Sequence, residues 1–199
     1  MAWELILGLV IFAFASSITP GPNNIMLLTS GVNYGFARTI PHIFGVSLGL
    51  FFMTSCLGLG LGQLLKLYPF LLTYLKVFAF IYLIYLSWRI AFSKTISSGP
   101  NSTGKPMSFI EACLFQWINP KAVIMAITAL SLYVDPQNPL FSLLLVGIIF
   151  TLVNLPSISV WVVFGVSLRN FLSDPKRLRI FNFSMGGLLL LSIIPIIFT

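Results

Sequence analysis

Two short runs concentrate the groups that can hold a small polar molecule. The first is Ser16-Ser17-Ile18-Thr19-Pro20-Gly21-Pro22-Asn23-Asn24, and the second is Gln116-Trp117-Ile118-Asn119-Pro120-Lys121-Ala122. Each sets proline beside amide side chains. Proline lacks the N–H that would bond the carbonyl four residues back, and its ring clashes with that carbonyl. Pro20 and Pro22 around Gly21 therefore break a helix, and Gly21 lets the chain turn there. Carbonyls before each break lose their partners. The helix that restarts after Pro22 or Pro120 begins with free N–H groups and a positive dipole end. Such N–H groups suit a carboxylate, while the freed carbonyls and the side chains of Asn23, Asn24 and Asn119 accept from an ammonium. The chemistry fits a zwitterion.

Composition says where these runs must sit. Of the 199 residues, 58% are hydrophobic and 8% carry charge, against about 25% charged in an ordinary soluble domain. So few charges exclude a soluble domain, and so much apolar content excludes disorder. The formal charge of +7 does not point to nucleic acid, because 11 cations spread over the whole chain make no dense basic face. No catalytic constellation is visible, no cofactor motif, and no cluster of metal ligands. Glu4 and the absence of Lys or Arg near the start argue against a cleaved signal, so the first apolar run reads as a retained span.

Apolar segments fall at about 5–29, 40–64, 68–92, 111–134, 140–168 and 179–198, each near the ~20 residues that cross a bilayer. The expectation is an all-α, polytopic membrane protein with six transmembrane helices. The longest segment, 140–168, should tilt or have an interfacial end. Cations orient the chain. With the N-terminus outside, Arg38, Arg89, Lys94, Lys105, Arg169, Lys176, Arg177 and Arg179 lie on the cytoplasmic side, and only Lys66 and Lys76 on the outer side. That is a positive-inside bias, and it places both termini in the periplasm.

The polar linker 93–108 divides a single transmembrane domain, 1–199, into three-helix halves, 1–92 and 109–199. Three spans per half give the second half inverted topology, as in many secondary transporters. In that orientation Pro20 lies about ten residues from the inner end of span one, and Pro120 about nine from the inner end of span four. At ~1.5 Å per residue both breaks fall near the middle of a ~30 Å core. Interrupted segments at matching positions of two halves point to a transporter site.

The candidate substrate-binding residues are Thr19, Gly21, Asn23, Asn24, Asn119, Lys121 and, in mid-span five, Asn154. The candidate breaks and gates are Pro20, Pro22, Pro120 and Pro156. Lys121 has three readings: a cation for the substrate carboxylate, a proton carrier, or a side chain snorkelling to the interface. His42, after Pro41 at the inner start of span two, is either interfacial or a proton relay. Gly45, Gly49, Gly58, Gly60 and Gly62 read as a smooth packing face on span two, and Gly186 and Gly187 on span six.

At these residues the sequence resembles the LysE/RhtB-type amino-acid exporter family of the LysE superfamily. The resemblance rests on chain size, on Thr19–Asn23 (TPGPN), on Asn119–Ala122 (NPKA) and on the Gly-rich second span, and it covers essentially the whole chain. It implies a bacterial inner-membrane exporter of amino acids coupled to proton influx, with Pro156 mattering for transport. Members that export lysine or arginine resemble one another in carrying an acidic residue in span two. Residues 40–64 here contain no Asp or Glu, and a buried cationic side chain needs a counter-charge. A neutral substrate is favoured: threonine, homoserine, serine, cysteine or a cysteine metabolite. The expected partners are thus the amino acid, protons and the lipid bilayer, with homo-oligomerisation left open. Competing readings are a thiol–disulfide electron carrier using Cys56 and Cys113, and a small-ion exporter.

Overall fold

A computed structural model describes residues 3–93, 105–192 and 194. Within them the chain is helical, with no strand. The first apolar segment forms two helices, α1 (Trp3–Ile18) and α2 (Pro22–Tyr34), bent by 56°. Pro22 opens α2, where a missing N–H costs no intrahelical bond. The second segment is α3 (Phe36–Cys56), which passes through a π-turn at Leu57–Leu61 into α4 (Gly62–Leu67). Gly60 has φ 126° in that kink. Its role is therefore conformational, and a Cβ there would touch nothing, so it is no part of a packing face.

The third segment is α5 (Pro69–Ala91). The fourth again forms two helices, α6 (Phe109–Ile118) and α7 (Pro120–Tyr133), bent by 71° at Asn119. Ser108 and Glu111 start α6 with reciprocal side-chain-to-backbone bonds. The fifth segment is α8 (Pro139–Leu168), whose 30 residues span about 45 Å, well beyond a ~30 Å core. A 3₁₀ turn (Phe171–Ser173) leads to α9 (Pro175–Leu191). α9 begins four residues before the sequence-based start at 179, because Asp174 caps it through the N–H groups of Lys176 and Arg177.

Five of the six expected segments are long and apolar enough to cross a bilayer when each bent pair counts as one span. α9 has 17 residues, and the stretch that would extend it, apart from Ser192 and Ile194, lies outside the described residues. So does most of the 93–108 linker, residues 94–104.

The helices pack chiefly as α2 on α8, α3 on α6, α5 on α9, α3 on α8 and α1 on α8. α8 is thus packed by α1, α2 and α3, and α6 packs on α3. Two contacts depend on missing side chains. A Cβ at Gly31 would overlap the Val162 carbonyl, and one at Gly165 would overlap the Leu28 carbonyl, so α2 and α8 touch backbone to backbone. Gly45 and Gly49 serve α3 against α6 in the same way, at Phe109 and Cys113. Large apolar side chains such as Phe14, Phe44, Phe52, Ile81, Leu152 and Phe164 point outward, while Asn24, Asn33, His42, Gln116, Asn119, Asn154 and Asn182 are buried. Apolar outside and amide inside is the arrangement of a multi-pass membrane protein.

Candidate functional site

The break between α1 and α2 is a problem of orphaned carbonyls, and side chains from α2, α7 and α8 solve it. Ser17 O and Thr19 O accept from Asn24 Nδ2 at 2.8 and 2.7 Å. Ile18 O accepts from Trp161 Nε1 of α8 at 3.1 Å. Thr19 O, Thr19 Oγ1 and Pro20 O all accept from Lys121 Nζ of α7, at 2.5, 2.9 and 3.3 Å. An ammonium at a helix C-terminus also meets the negative end of its dipole. Lys121 thus reaches from one break to the other. Thr19 itself sits at the exposed side of this cluster.

The two halves meet again through an amide pair. Asn23 Nδ2 donates to Gln116 Oε1 at 2.8 Å, and Gln116 Nε2 donates back to Asn23 Oδ1 at 3.3 Å. Gln116 also donates to Ala112 O at 2.8 Å, which fixes its orientation on α6. Asn154 of α8 joins α1 to α3: its Nδ2 donates to Ser17 Oγ at 3.0 Å, and its Oδ1 accepts from Ser47 Oγ at 3.0 Å.

The α6–α7 break is left open by comparison. Asn119 is 2% exposed, and its Oδ1 has no hydrogen-bond partner. Neither α2 nor α7 has a side-chain cap at its N-terminus. Ser17, Gly21, Asn23, Asn24, Gln116, Asn119, Lys121 and Asn154 line one cavity between the two breaks. Its volume is about 20 Å³, room for roughly one water. Its chemistry is therefore an unpaired buried amide oxygen beside two positive helix ends. A larger apolar cavity of about 290 Å³ lies behind the α6–α7 break, between α3, α5 and α7, with Trp117, Pro120 and Ile124 in its wall.

Six of the seven sequence-predicted binding residues line the small polar cavity between the breaks, Thr19 lying just beside it as an acceptor for Lys121. Pro20, Pro22 and Pro120 stand at the bends. Pro156 is exposed on α8, which runs through it as a single helix. His42 is buried far from the breaks, near the opposite end of α2. Sequence reasoning missed Ser17 and Gln116 as site residues, although both stand in the quoted polar runs. It also missed Ser47 and Trp161, for which the sequence carries no local signal.

Cys56 and Cys113 are free. The Cys113 backbone rests on Gly49, seven residues before Cys56 on the same helix, hence about 10 Å of helix rise from it. Among the described residues no three His, Cys, Asp or Glu side chains are gathered as a metal site.

Residues 14–193 match the family described as LysE type translocator. Among curated proteins, the chain is 34% identical over 132 residues to a cysteine/O-acetylserine efflux protein of Escherichia coli (strain K12), and equally to one of Shigella flexneri serotype 5b (strain 8401). The matched stretch is 66% of this chain and 66% of each relative, just under two thirds of their length. No solved structure matches.

Proposed function

The chain belongs to the LysE type translocator family, and from that premise we propose that it exports small neutral amino acids across the bacterial inner membrane. Cysteine and O-acetylserine head the substrate list by likeness to the relatives, followed by serine, threonine and homoserine. The observation that carries the reading is the unpaired Asn119 Oδ1, buried beside two uncapped helix N-termini. A buried acceptor without a donor is costly, and an α-ammonium is the donor it lacks. The N–H groups that open α2 and α7 hold the α-carboxylate. No carboxylate lines the cavity, which suits a side chain without positive charge.

In this proposal six spans form two inverted three-helix halves, 1–92 and 109–199, with both termini periplasmic. The Asn23–Gln116 pair and the Lys121 latch keep the empty site shut. Substrate displaces the amide pair, and α7 swings on the Asn119–Pro120 bend into the apolar cavity beside it. Lys121 couples the step to protons: an ammonium has three donors for its three acceptors at Thr19 and Pro20, and a neutral amine has two. Loss of the proton loosens the latch.

The test is export from cells loaded with labelled cysteine, O-acetylserine, serine and threonine, with and without the protein. Faster efflux of at least one, lost in Asn119→Ala, supports the reading. Equal efflux of all four sinks it.

A further inference from the structure

A second polar cavity, of about 60 Å³, lies at the other end of α2, between α2, the start of α3 and the end of α5. Asn33 is ten residues from Asn23 on α2, so this cavity lies about 15 Å from the central one. Much of its wall is a finished hydrogen-bond frame. Asn33 Nδ2 donates to Thr29 O at 2.9 Å and to Asn182 Oδ1 at 3.3 Å, and Asn182 Nδ2 donates to Ser93 O at 3.0 Å. Ser30 and Thr39 hydroxyls pair at 2.8 Å.

What remains unspent is His42, Arg89 and Lys105. His42 is 1% exposed and lines the cavity, yet neither Nδ1 nor Nε2 has a partner. Arg89 donates Nη2 to the Lys105 carbonyl at 2.8 Å, which uses one of its five donors, and both residues line the cavity. No carboxylate lines the cavity. Glu111, whose charge reaches both His42 and Arg89, has its Oε2 committed to Ser108 N at 2.7 Å in the cap of α6. An orphaned imidazole with two cations in the cavity wall, and Glu111 held back in a helix cap, is a site for an anion. The volume admits a carboxylate group, while the remainder of a larger molecule would protrude through the opening.

We propose that this cavity is a second substrate site, which takes the α-carboxylate of the amino acid through His42, Arg89 and Lys105 before the molecule reaches the central breaks. This rests on the export reading for the identity of the ligand. A phosphate, free or in a lipid headgroup, shares the anionic chemistry and is separated by the test.

His42 is the sole histidine of the chain, so its imidazole nitrogens can be read alone. The experiment is ¹⁵N NMR of histidine-labelled protein, without a histidine tag, in nanodiscs of zwitterionic lipid. Acetate, L-serine and O-acetylserine should each shift the imidazole signals saturably, and ethanolamine, which lacks the carboxylate, should not. Arg89→Gln should weaken the L-serine response at least tenfold, and Asn119→Ala should leave it in place. Absence of any shift overturns the proposal, as does an equal shift with ethanolamine. A response to inorganic phosphate or to added phosphatidylglycerol, with none to L-serine, overturns it in favour of a phosphate site. A serine response in a protein that exports nothing would keep this site and remove the transport reading alone.

Discussion

Lys121 Nζ lies 2.9 Å from Thr19 Oγ1, although 102 residues separate the two in the chain. The contact joins the start of one broken segment's second helix to the end of the other's first. Lys121 also satisfies the Pro20 carbonyl, while the Thr19 carbonyl has a second donor in Asn24. Lys121→Met should therefore orphan one carbonyl and lower stability modestly, by about 1 kcal/mol. Its effect on efflux should be far larger, near complete loss with normal amounts of protein in the membrane. Lys121→Arg keeps donors but holds its charge at all working pH, and should bind substrate without driving export. Efflux at the native rate from either variant would remove Lys121 from the mechanism.

Asn24 and Asn119 should separate stability from function. Asn24 makes two bonds that close the α1 break and is 3% exposed. Asn24→Ala should cost about 1–3 kcal/mol, seen as a fall in thermal midpoint. Asn119 Oδ1 bonds nothing, so Asn119→Ala should leave the midpoint unchanged or raise it, while abolishing efflux and the central-site component of substrate binding by calorimetry. If Asn119→Ala instead lowers the midpoint as much as Asn24→Ala, the amide is structural and the ammonium-acceptor role falls.

Much of this was legible in the sequence, and for physical reasons. Prolines beside glycine or asparagine in apolar runs fix where a helix must break, so the bends at Pro20–Gly21 and Asn119–Pro120 were expected and found. The polar runs around them named most of the cavity wall. Long-range choices were not legible. Nothing local says that Trp161 will bond the Ile18 carbonyl, or that Ser47 will meet Asn154 across 107 residues. The spacing of Gly60 suggests packing, because spacing cannot distinguish a close contact from a positive φ. The position of His42 after Pro41 near a span end leaves both an interfacial residue and a proton relay open, and its burial depends on what α2 and α5 lay over it.

The Asn23–Gln116 pair should behave as a latch between the halves. Each amide donates to the other, at 2.8 and 3.3 Å. Asn23→Ala and Gln116→Ala should each destabilise the substrate-free protein, and the double variant should cost less than the sum. A coupling of about 1 kcal/mol is the expected size for residues sharing one network. Additive losses in the two single variants would show that the pair carries no latch.

The α2–α8 contact sets the remaining prediction. A Cβ at Gly31 overlaps the Val162 carbonyl and one at Gly165 overlaps the Leu28 carbonyl, and backbone cannot yield as a side-chain tip can. Gly31→Ala should therefore push α2 away from α8, at a cost of about 1–3 kcal/mol. Trp161 neighbours Val162 and donates to the Ile18 carbonyl at 3.1 Å, so the same displacement strains the α1 cap. Ser30, next to Gly31 and 4% exposed, reports the movement. With Cys56 and Cys113 replaced by serine, a Ser30→Cys probe should resist a membrane-impermeant thiol reagent in the parent and react in the Gly31→Ala background. Equal labelling in both backgrounds would mean that the glycine contact does not govern access along α2.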